Sequence, residues 1–341
     1  METPYLAVDV DVMDRNLRAM ASAAQERGLA LRPHAKTHKC LEIARRQIEL
    51  GAAGLTVATV SEAEVFADGG FDDLFIAYPI WPSPGRAERL RRLAGQVALR
   101  VGIDSVESAE ALATAVGPLD VLVEVDSGHH RSGVRPADAA ALIEAASKAG
   151  HSVRGIFTFP GHSYAPGAPE QAALDEARAM VDAGPHAEVR SGGSTPTARL
   201  AGTGPVNEIR PGVYVLNDAQ QIELGTCDWA DVALTVHATV VSRSGNRAIV
   251  DAGSKVLGAD RLAWATGFGR LPEFPGARIV AQSEHHATIE FGDEAPPARG
   301  DILRVAPNHV CNTVNLADDL IVFSGGEPVD RWRVAARGAN T

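Results

Sequence analysis

The stretch LRPHAKTHKC, residues 31–40, sets Lys36 between His34 and His38, directly after an apolar run that reads as a buried strand. A lysine where a strand gives out, flanked by groups able to lower its pKa, has the setting of a Schiff-base amine. An ordinary solvated lysine is the plain alternative. A second stretch, SGGSTPT at residues 191–197, places Gly192 and Gly193 beside Ser194, Thr195 and Thr197. Glycines there let backbone N–H groups approach an anion and the hydroxyls add donors, so the loop suits a phosphate. Loops of this composition are also common turns. A reactive amine and a phosphate loop together point to a phosphorylated carbonyl cofactor, with pyridoxal phosphate the obvious candidate.

A third stretch, PNHVC at residues 307–311, sets His309 and Cys311 two positions apart. In an extended segment they share a face, so imidazole and thiolate can grip one ion. Soft sulfur with nitrogen favours Zn²⁺ over Mg²⁺ or Ca²⁺. A buried cysteine that only packs is the alternative. With two protein donors, water and substrate would complete the shell, as an open catalytic site requires. Glu284, His285 and His286 in SEHHATIE offer outer support or a general acid, or else form a polar strand edge.

These residues need elements to position them. Between residues 29 and 215, apolar β-type runs (LALRPHA, GLTVAT, DLFIAYP, VALRVGI, VLVEVD, RGIFTF, EVRSGG, NEIRPGVYV) alternate with helical stretches at 61–69, 105–115, 137–149 and 169–183. Ser61 with Glu64, and Ser105 with Glu107 and Ser108, look like helix starts. Runs without polar alternation fit parallel strands covered on both faces. Eight such units predict a (β/α)₈ TIM-type barrel over residues 14–225. An open doubly wound sheet is disfavoured because no Gly-rich dinucleotide fingerprint follows the first strand. In a barrel the strand C-terminal ends carry function, and they gather Lys36, Thr59, Tyr78, Asp126 to Arg131, Phe159 to Tyr164, Gly192 to Thr197 and Arg210 to Tyr214 on one rim. From about residue 228 the texture turns to clustered β-formers between Gly, Pro and Asp. This predicts an all-β domain over 226–341, joined by residues 1–13 because TPYLAVDVDVM is strand-like.

Composition narrows the function. The chain has 341 residues, 45% hydrophobic and 22% charged, with a net charge of -11. No basic excess exists to displace counterions from nucleic-acid phosphates. No apolar run reaches membrane-span length, and the N-terminus lacks a signal-peptide pattern. Three cysteines, Cys40, Cys227 and Cys311, are too few for a disulfide framework, so a reducing, cytoplasmic setting is expected.

RPHAKTHK, then EVDSGHHRSGV, then PNHVC resemble, in that order and over nearly the whole chain, the D-serine dehydratase / D-threonine aldolase family. These are fold-type III pyridoxal phosphate enzymes, more distantly related to alanine racemase. The resemblance implies that Lys36 carries the cofactor as an imine and that Arg131 faces its phenolic oxygen. It implies a phosphate held by Gly193, Ser194 and Thr195 with the backbone N–H groups of Gly212 and Val213, and a nearby Tyr214 hydroxyl. Arg210 matches the place where alanine racemase sets an arginine beside the pyridine nitrogen, although pairing with Glu208 is equally open. Phe159 falls where relatives often carry histidine or tyrosine against the cofactor. Phenylalanine can pack there but cannot move a proton, which leaves His162 and Tyr164 as candidates for acid–base work. His309 and Cys311 match the family's metal pair, with Zn²⁺ preferred and Mn²⁺ or Mg²⁺ as alternatives.

The implied activity is lysis of D-3-hydroxy amino acids. Histidine with cysteine resembles the dehydratase pattern and histidine with aspartate the aldolase pattern. A D-serine or D-3-hydroxyaspartate dehydratase is therefore expected, with D-threonine aldolase close behind. An amino-acid racemase and a non-catalytic cofactor-binding protein are the remaining readings. By the same resemblance the protein is expected to be a homodimer that takes a small D-amino acid and has no nucleic-acid or membrane partner.

Overall fold

The computed structural model describes every residue except Pro185, His186 and Thr203. The chain opens with β1 (Tyr5–Asp9) and α1 (Val10–Glu26). It then alternates β2 (Ala30–Leu31), α2 (Leu41–Glu49), β3 (Leu55–Val57), α3 (Val60–Asp68), β4 (Asp73–Pro79), α4 (Pro84–Ala94), β5 (Ala98–Ile103), α5 (Val106–Ala115), β6 (Asp120–Glu124), α6 (Ala139–Lys148), β7 (Ser152–Phe157), α7 (Pro169–Ala183), β8 (Val189–Gly192) and β9 (Glu208–Ile209). The sheet is parallel and eight-stranded, ordered β2-β9-β8-β7-β6-β5-β4-β3. A bridge between His34 and Thr56 joins the two ends of that order, so the sheet curls round on itself as the alternating pattern predicts.

Capping explains the helix starts. Ser105 accepts the N–H of Ser108, as expected, and such a cap stabilises a helix by about 1 kcal/mol. For α3 the cap lies two residues earlier than predicted: Thr59, not Ser61, accepts the N–H of Glu62. Thr59 keeps an extended backbone at the strand end, which frees its hydroxyl for the first turn, whereas Ser61 is already helical.

The barrel interior mixes apolar and ionic layers. Phe75, Leu122 and Phe157 form one buried cluster, with Phe75 and Phe157 edge to face at 5.1 Å. Arg32, its side chain 2% exposed, bonds Asp73 at 2.7 Å and Glu208 at 2.8 Å. Arg100 approaches the same two carboxylates at 3.6 and 3.7 Å. The arginine of RPHAK therefore ties the end of β2 to β4 and β9. Desolvation weakens a buried guanidinium, but two carboxylates hold its proton more firmly than usual.

The rest of the chain builds a second compact unit comprising residues 1–18, 37–42 and 213–338. The barrel unit comprises 19–36, 43–212 and 339–341. The division falls at residue 212 rather than 225, because Val213–Val215 form a buried 3₁₀ turn that packs as part of the second unit. The second unit continues through α8 (Ala219–Glu223), β10 (Leu234–Ser244), β11 (Arg247–Val250), α9 (Ser254–Leu257), β12 (Gly269–Arg270), β13 (Arg278–Gln282), β14 (Ala287–Glu290), β15 (Ile302–Pro307), α10 (Val310–Leu316), β16 (Asp319–Ser324) and β17 (Glu327–Arg333). Its sheet runs β13-β14-β11-β10-β1-β16-β17, with β15 on β10. β1 pairs antiparallel with β10 and parallel with β16, so the N-terminal strand does join this sheet. One expectation fails here. NHVCNTV is not extended but enters α10, as its apolar positions Val310 and Val314 bury one helical face. Among the described residues no helix is long and apolar enough to cross a membrane.

Candidate active site

β2 leads into a 3₁₀ turn, Ala35–Thr37, that presents Lys36 half-buried in the barrel unit. Its Nζ lies 5.7 Å from the centre of the Phe159 ring. Phe159 follows β7 and is a meeting point: the Arg131 guanidinium stands 4.9 Å from its centre, the His129 ring 5.5 Å and the Tyr164 ring 6.5 Å. Thus Lys36, Arg131, Phe159 and Tyr164 come together as predicted. His38, fully buried, accepts the Cys40 N–H at 3.1 Å through Nδ1 and holds the turn.

The loop DSGHHRSG explains how Arg131 and His129 reach Phe159. Asp126 Oδ1 accepts the N–H groups of Gly128 and His130 at 2.9 and 3.0 Å, and Oδ2 meets His130 Nδ1 at 2.7 Å. Burial pushes this carboxyl up, but those hydrogen bonds outweigh it and hold it below the usual range. Gly133, at φ 98°, passes so close to the Asp126 backbone that a Cβ would stand 2.8 Å from its nitrogen. The self-bonded loop thereby projects its middle residues.

His162 departs from expectation. Its ring packs against Gly128, Nε2 lies 3.6 Å from Asp175 on α7, and both ring nitrogens are buried without a hydrogen-bond partner, while it makes no ring contact with Phe159. The imidazole that faces Phe159 is His129. Burial, then the charges of Arg131 and His162, lower its pKa and favour the neutral form. Nothing in the spacing of the sequence separates His129 from His130; only the loop's turn does.

The glycine-rich loop after β8 also works differently from its simplest reading. Gly193 adopts φ 76°. Its N–H is already given to Glu176 Oε1 at 2.9 Å, and that of Ser194 to Thr197 Oγ1 at 2.9 Å. These two amides shape the loop and are spent within the chain. Ser194 Oγ pairs with Ser163 Oγ at 2.9 Å, and Thr195 is buried beside it. Glu176, on α7, carries no signal in the sequence; a buried glutamate among alanines looks there like any helical surface residue. Burial raises its pKa against the opposing bonds from Thr158 and Gly193.

Arg210 is enclosed, at 5% exposure. Nη1 donates to Ser191 Oγ at 2.7 Å and Nη2 to the Thr158 carbonyl. It reaches Glu208 only through Ser191, whose hydroxyl donates to Glu208 Oε1 at 2.5 Å, so the direct Arg210–Glu208 pairing left open from sequence does not form. Arg210 Nε is buried without a hydrogen-bond partner. Burial lowers the Arg210 pKa against the charges of Glu208, Glu176 and Glu124, and a buried donor left unpaired is costly, so an acceptor from outside the protein would suit it. A pyridine nitrogen meets that need. A strand-end amine, an aromatic wall, a shaped Gly-Ser-Thr loop and this orphan donor fit pyridoxal phosphate. Gly212 is half-buried at the end of the barrel unit, and Val213 and Tyr214 lie buried in the turn that opens the other unit.

In the second unit His309 is the extended residue before α10 (φ −132°, ψ 98°), and Cys311 lies in its first turn. The side chains still meet. Burial works against a charged His309 imidazole, but the charge of Cys311 and hydrogen bonds to Asp260 and Cys311 outweigh it and hold its pKa well above the ordinary range. His309 Nδ1 stands 2.6 Å from Asp260 Oδ2. Cys311 Sγ also contacts Thr37 Oγ1 at 3.3 Å. Asp218, capping α8, accepts the Val310 N–H at 3.1 Å and anchors the start of α10, and burial lifts its pKa to about 6. An imidazole and a thiol brought together in this way can hold a soft divalent cation between them. Among the described residues no group of three or more His, Cys, Asp or Glu forms a metal site, so a cation held here would have two protein donors. Glu284 pairs with Lys255 at 2.6 Å in an exposed turn with His285 and His286, the bland reading of that stretch.

An alanine racemase-like barrel carrying a strand-end lysine, followed by a β unit with a His–Cys pair, defines a class of cofactor-dependent enzymes. Residues 8–219 match the family described as "Alanine racemase, N-terminal domain", and residues 233–323 the one described as "Putative serine dehydratase domain". D-threo-3-hydroxyaspartate dehydratase of Delftia sp. is 34% identical over 92% of both chains. D-threonine aldolase of Arthrobacter sp. is 33% identical over 99% of this chain and 93% of its own. Among solved structures, the Delftia dehydratase superposes with a TM-score of 0.89 at 32% identity, covering 98% of this chain and 97% of its own. A cysteine-to-alanine mutant of D-threo-3-hydroxyaspartate dehydratase was also solved in a metal-free form, at 31% identity and a TM-score of 0.88, covering 98% of this chain and 97% of its own. The chain belongs to the D-serine dehydratase / D-threonine aldolase family of pyridoxal phosphate-dependent lyases.

Proposed function

We propose that the protein is a pyridoxal phosphate- and metal-dependent lyase of D-3-hydroxy amino acids, and that its reaction is β-elimination to a 2-oxo acid and ammonia. The observation that carries the choice is the His309–Cys311 pair, a thiolate-containing donor set on the residues that match the family's metal motif. The metal-free cysteine mutant of D-threo-3-hydroxyaspartate dehydratase supports the same reading.

Bound pyridoxal phosphate supplies an electrophilic carbon for the substrate amine and a ring that spreads the charge left at Cα. A divalent cation, Zn²⁺ before Mn²⁺ or Mg²⁺, supplies Lewis acidity toward the β-hydroxyl oxygen. Lys36 would hold the cofactor, and its amine, once free, would move the α-proton. Phe159 provides an apolar wall, Arg131 a charge for the phenolic oxygen, and Arg210 Nε a donor for the ring nitrogen. Ser194, Thr195, Gly212 and Val213 would hold the phosphate, with Gly193 shaping the turn. A charged guanidinium at the ring nitrogen would disfavour its protonation, which would weaken the ring as an electron sink and leave more work to the metal. Neutral His129 and Tyr164 stand at Phe159 as groups able to exchange protons. The protein acts as a homodimer on a small substrate.

The experiment incubates the protein, with pyridoxal phosphate and Zn²⁺, separately with D-serine and D-threonine. Pyruvate and 2-oxobutyrate with ammonia are expected. Glycine with acetaldehyde would replace elimination by D-threonine aldolase activity, a reading that the Arthrobacter enzyme's 33% identity supports equally well. Neither product set would defeat both.

A further inference from the structure

We infer that Thr37, the residue after the cofactor lysine, is a positioning residue for the metal thiolate: its hydroxyl holds Cys311 by a hydrogen bond to sulfur. The inference rests on the metal reading given above. Thr37 is 0% exposed, and its Oγ1 lies 3.3 Å from Cys311 Sγ. The contact is one rung of a longer attachment. One helical turn along α10, Lys39 Nζ donates to Asn315 Oδ1 at 2.7 Å, and the Lys39 carbonyl accepts the Ala336 N–H at 3.0 Å. Positions 311 and 315 share a face of α10. The segment 37–42 accordingly belongs to the β unit although it interrupts the barrel sequence. The motif AKTHK thus has two jobs divided at one peptide bond: Lys36 ends the barrel segment, and Thr37 and Lys39 grip the metal-bearing helix.

The chemistry gives the contact a direction. While Cys311 carries its proton, the thiol donates to Thr37 Oγ1. Once a cation replaces that proton, sulfur can only accept, so the hydroxyl turns and donates to it. A hydrogen bond to a charged acceptor is stronger than a neutral one. It draws electron density from sulfur, leaves less to give to the cation, and keeps the cation a stronger Lewis acid. Outer groups that orient metal ligands commonly matter this way. Asp260 does the matching task for His309, at 2.6 Å from Nδ1.

The test uses the full-length holoenzyme, stripped of metal by chelation and reloaded with Co²⁺. Its readout is the sulfur-to-cobalt charge-transfer band in the cobalt-minus-metal-free difference spectrum. Thr37→Val keeps the shape and removes the hydroxyl, Thr37→Ala removes it without added bulk, and Thr37→Ser restores it. The band should move to lower energy in the Val and Ala variants and return in the Ser variant, with Co²⁺ affinity falling about tenfold or more in the first two. A wild-type band that neither variant moves overturns the role of Thr37 and leaves the metal reading standing. Absence of any such band in wild type overturns the metal reading and this inference with it. Should the Val variant not fold, the Ala variant decides.

Discussion

Glu176→Ala tests whether the loop after β8 is shaped from beneath. The carboxylate accepts the Thr158 hydroxyl at 2.5 Å and the Gly193 N–H at 2.9 Å, and it is 3% exposed. Truncation leaves the Gly193 amide buried and unpaired, at about 1–3 kcal/mol. The Thr158 hydroxyl can turn elsewhere, so its loss adds about 1 kcal/mol, for a total of about 2–4 kcal/mol. An opposing effect depends on pH. Burial raises the carboxyl's pKa in the folded state, so folding takes up a proton as pH falls through that raised value. Wild type is therefore favoured relative to the alanine variant as pH falls, and the gap between them should be wider at about pH 5 than at about pH 8. Urea unfolding of both proteins at the two pH values measures it. Apparent cofactor affinity should also drop, more for pyridoxal phosphate than for pyridoxal, because only the former uses the loop. A gap below about 0.5 kcal/mol at both pH values, or one that widens toward alkaline pH, would refute the reasoning.

Lys36→Ala should abolish the visible absorbance of bound cofactor; an unchanged spectrum would remove the lysine from its role. Chelation should stop turnover while the cofactor stays bound, and full activity after exhaustive chelation would exclude a metal. Arg32→Ala should destabilise the fold by about 3–5 kcal/mol, since it strands Asp73 and Glu208 in the barrel. Thermal melts of the variant read this, and a loss below about 1 kcal/mol would show that Arg100 alone satisfies both carboxylates.

Much of this protein is set by short-range rules that a sequence displays. Apolar runs without polar alternation fit strands covered on both faces, so the parallel barrel was readable from β2 to β9. The cap at Ser105 and the lysine at position 36 were readable for a related reason, each being a residue type at a strand or helix end, whereas Arg131 and Phe159 were legible only through the family resemblance. Only tertiary structure decided the rest. Glu176 became a loop brace, and Arg210 an enclosed guanidinium with one orphan donor, through partners 17 and 52 residues away. His129 replaced His162 at Phe159 because a self-bonded loop chose which imidazole turns inward. His309 and Cys311 meet at a helix start and not along a strand, and Thr37 meets Cys311 across 274 residues of chain. A sequence pattern records the surroundings each residue prefers, while hydrogen-bond partners depend on which surfaces the folded chain brings together.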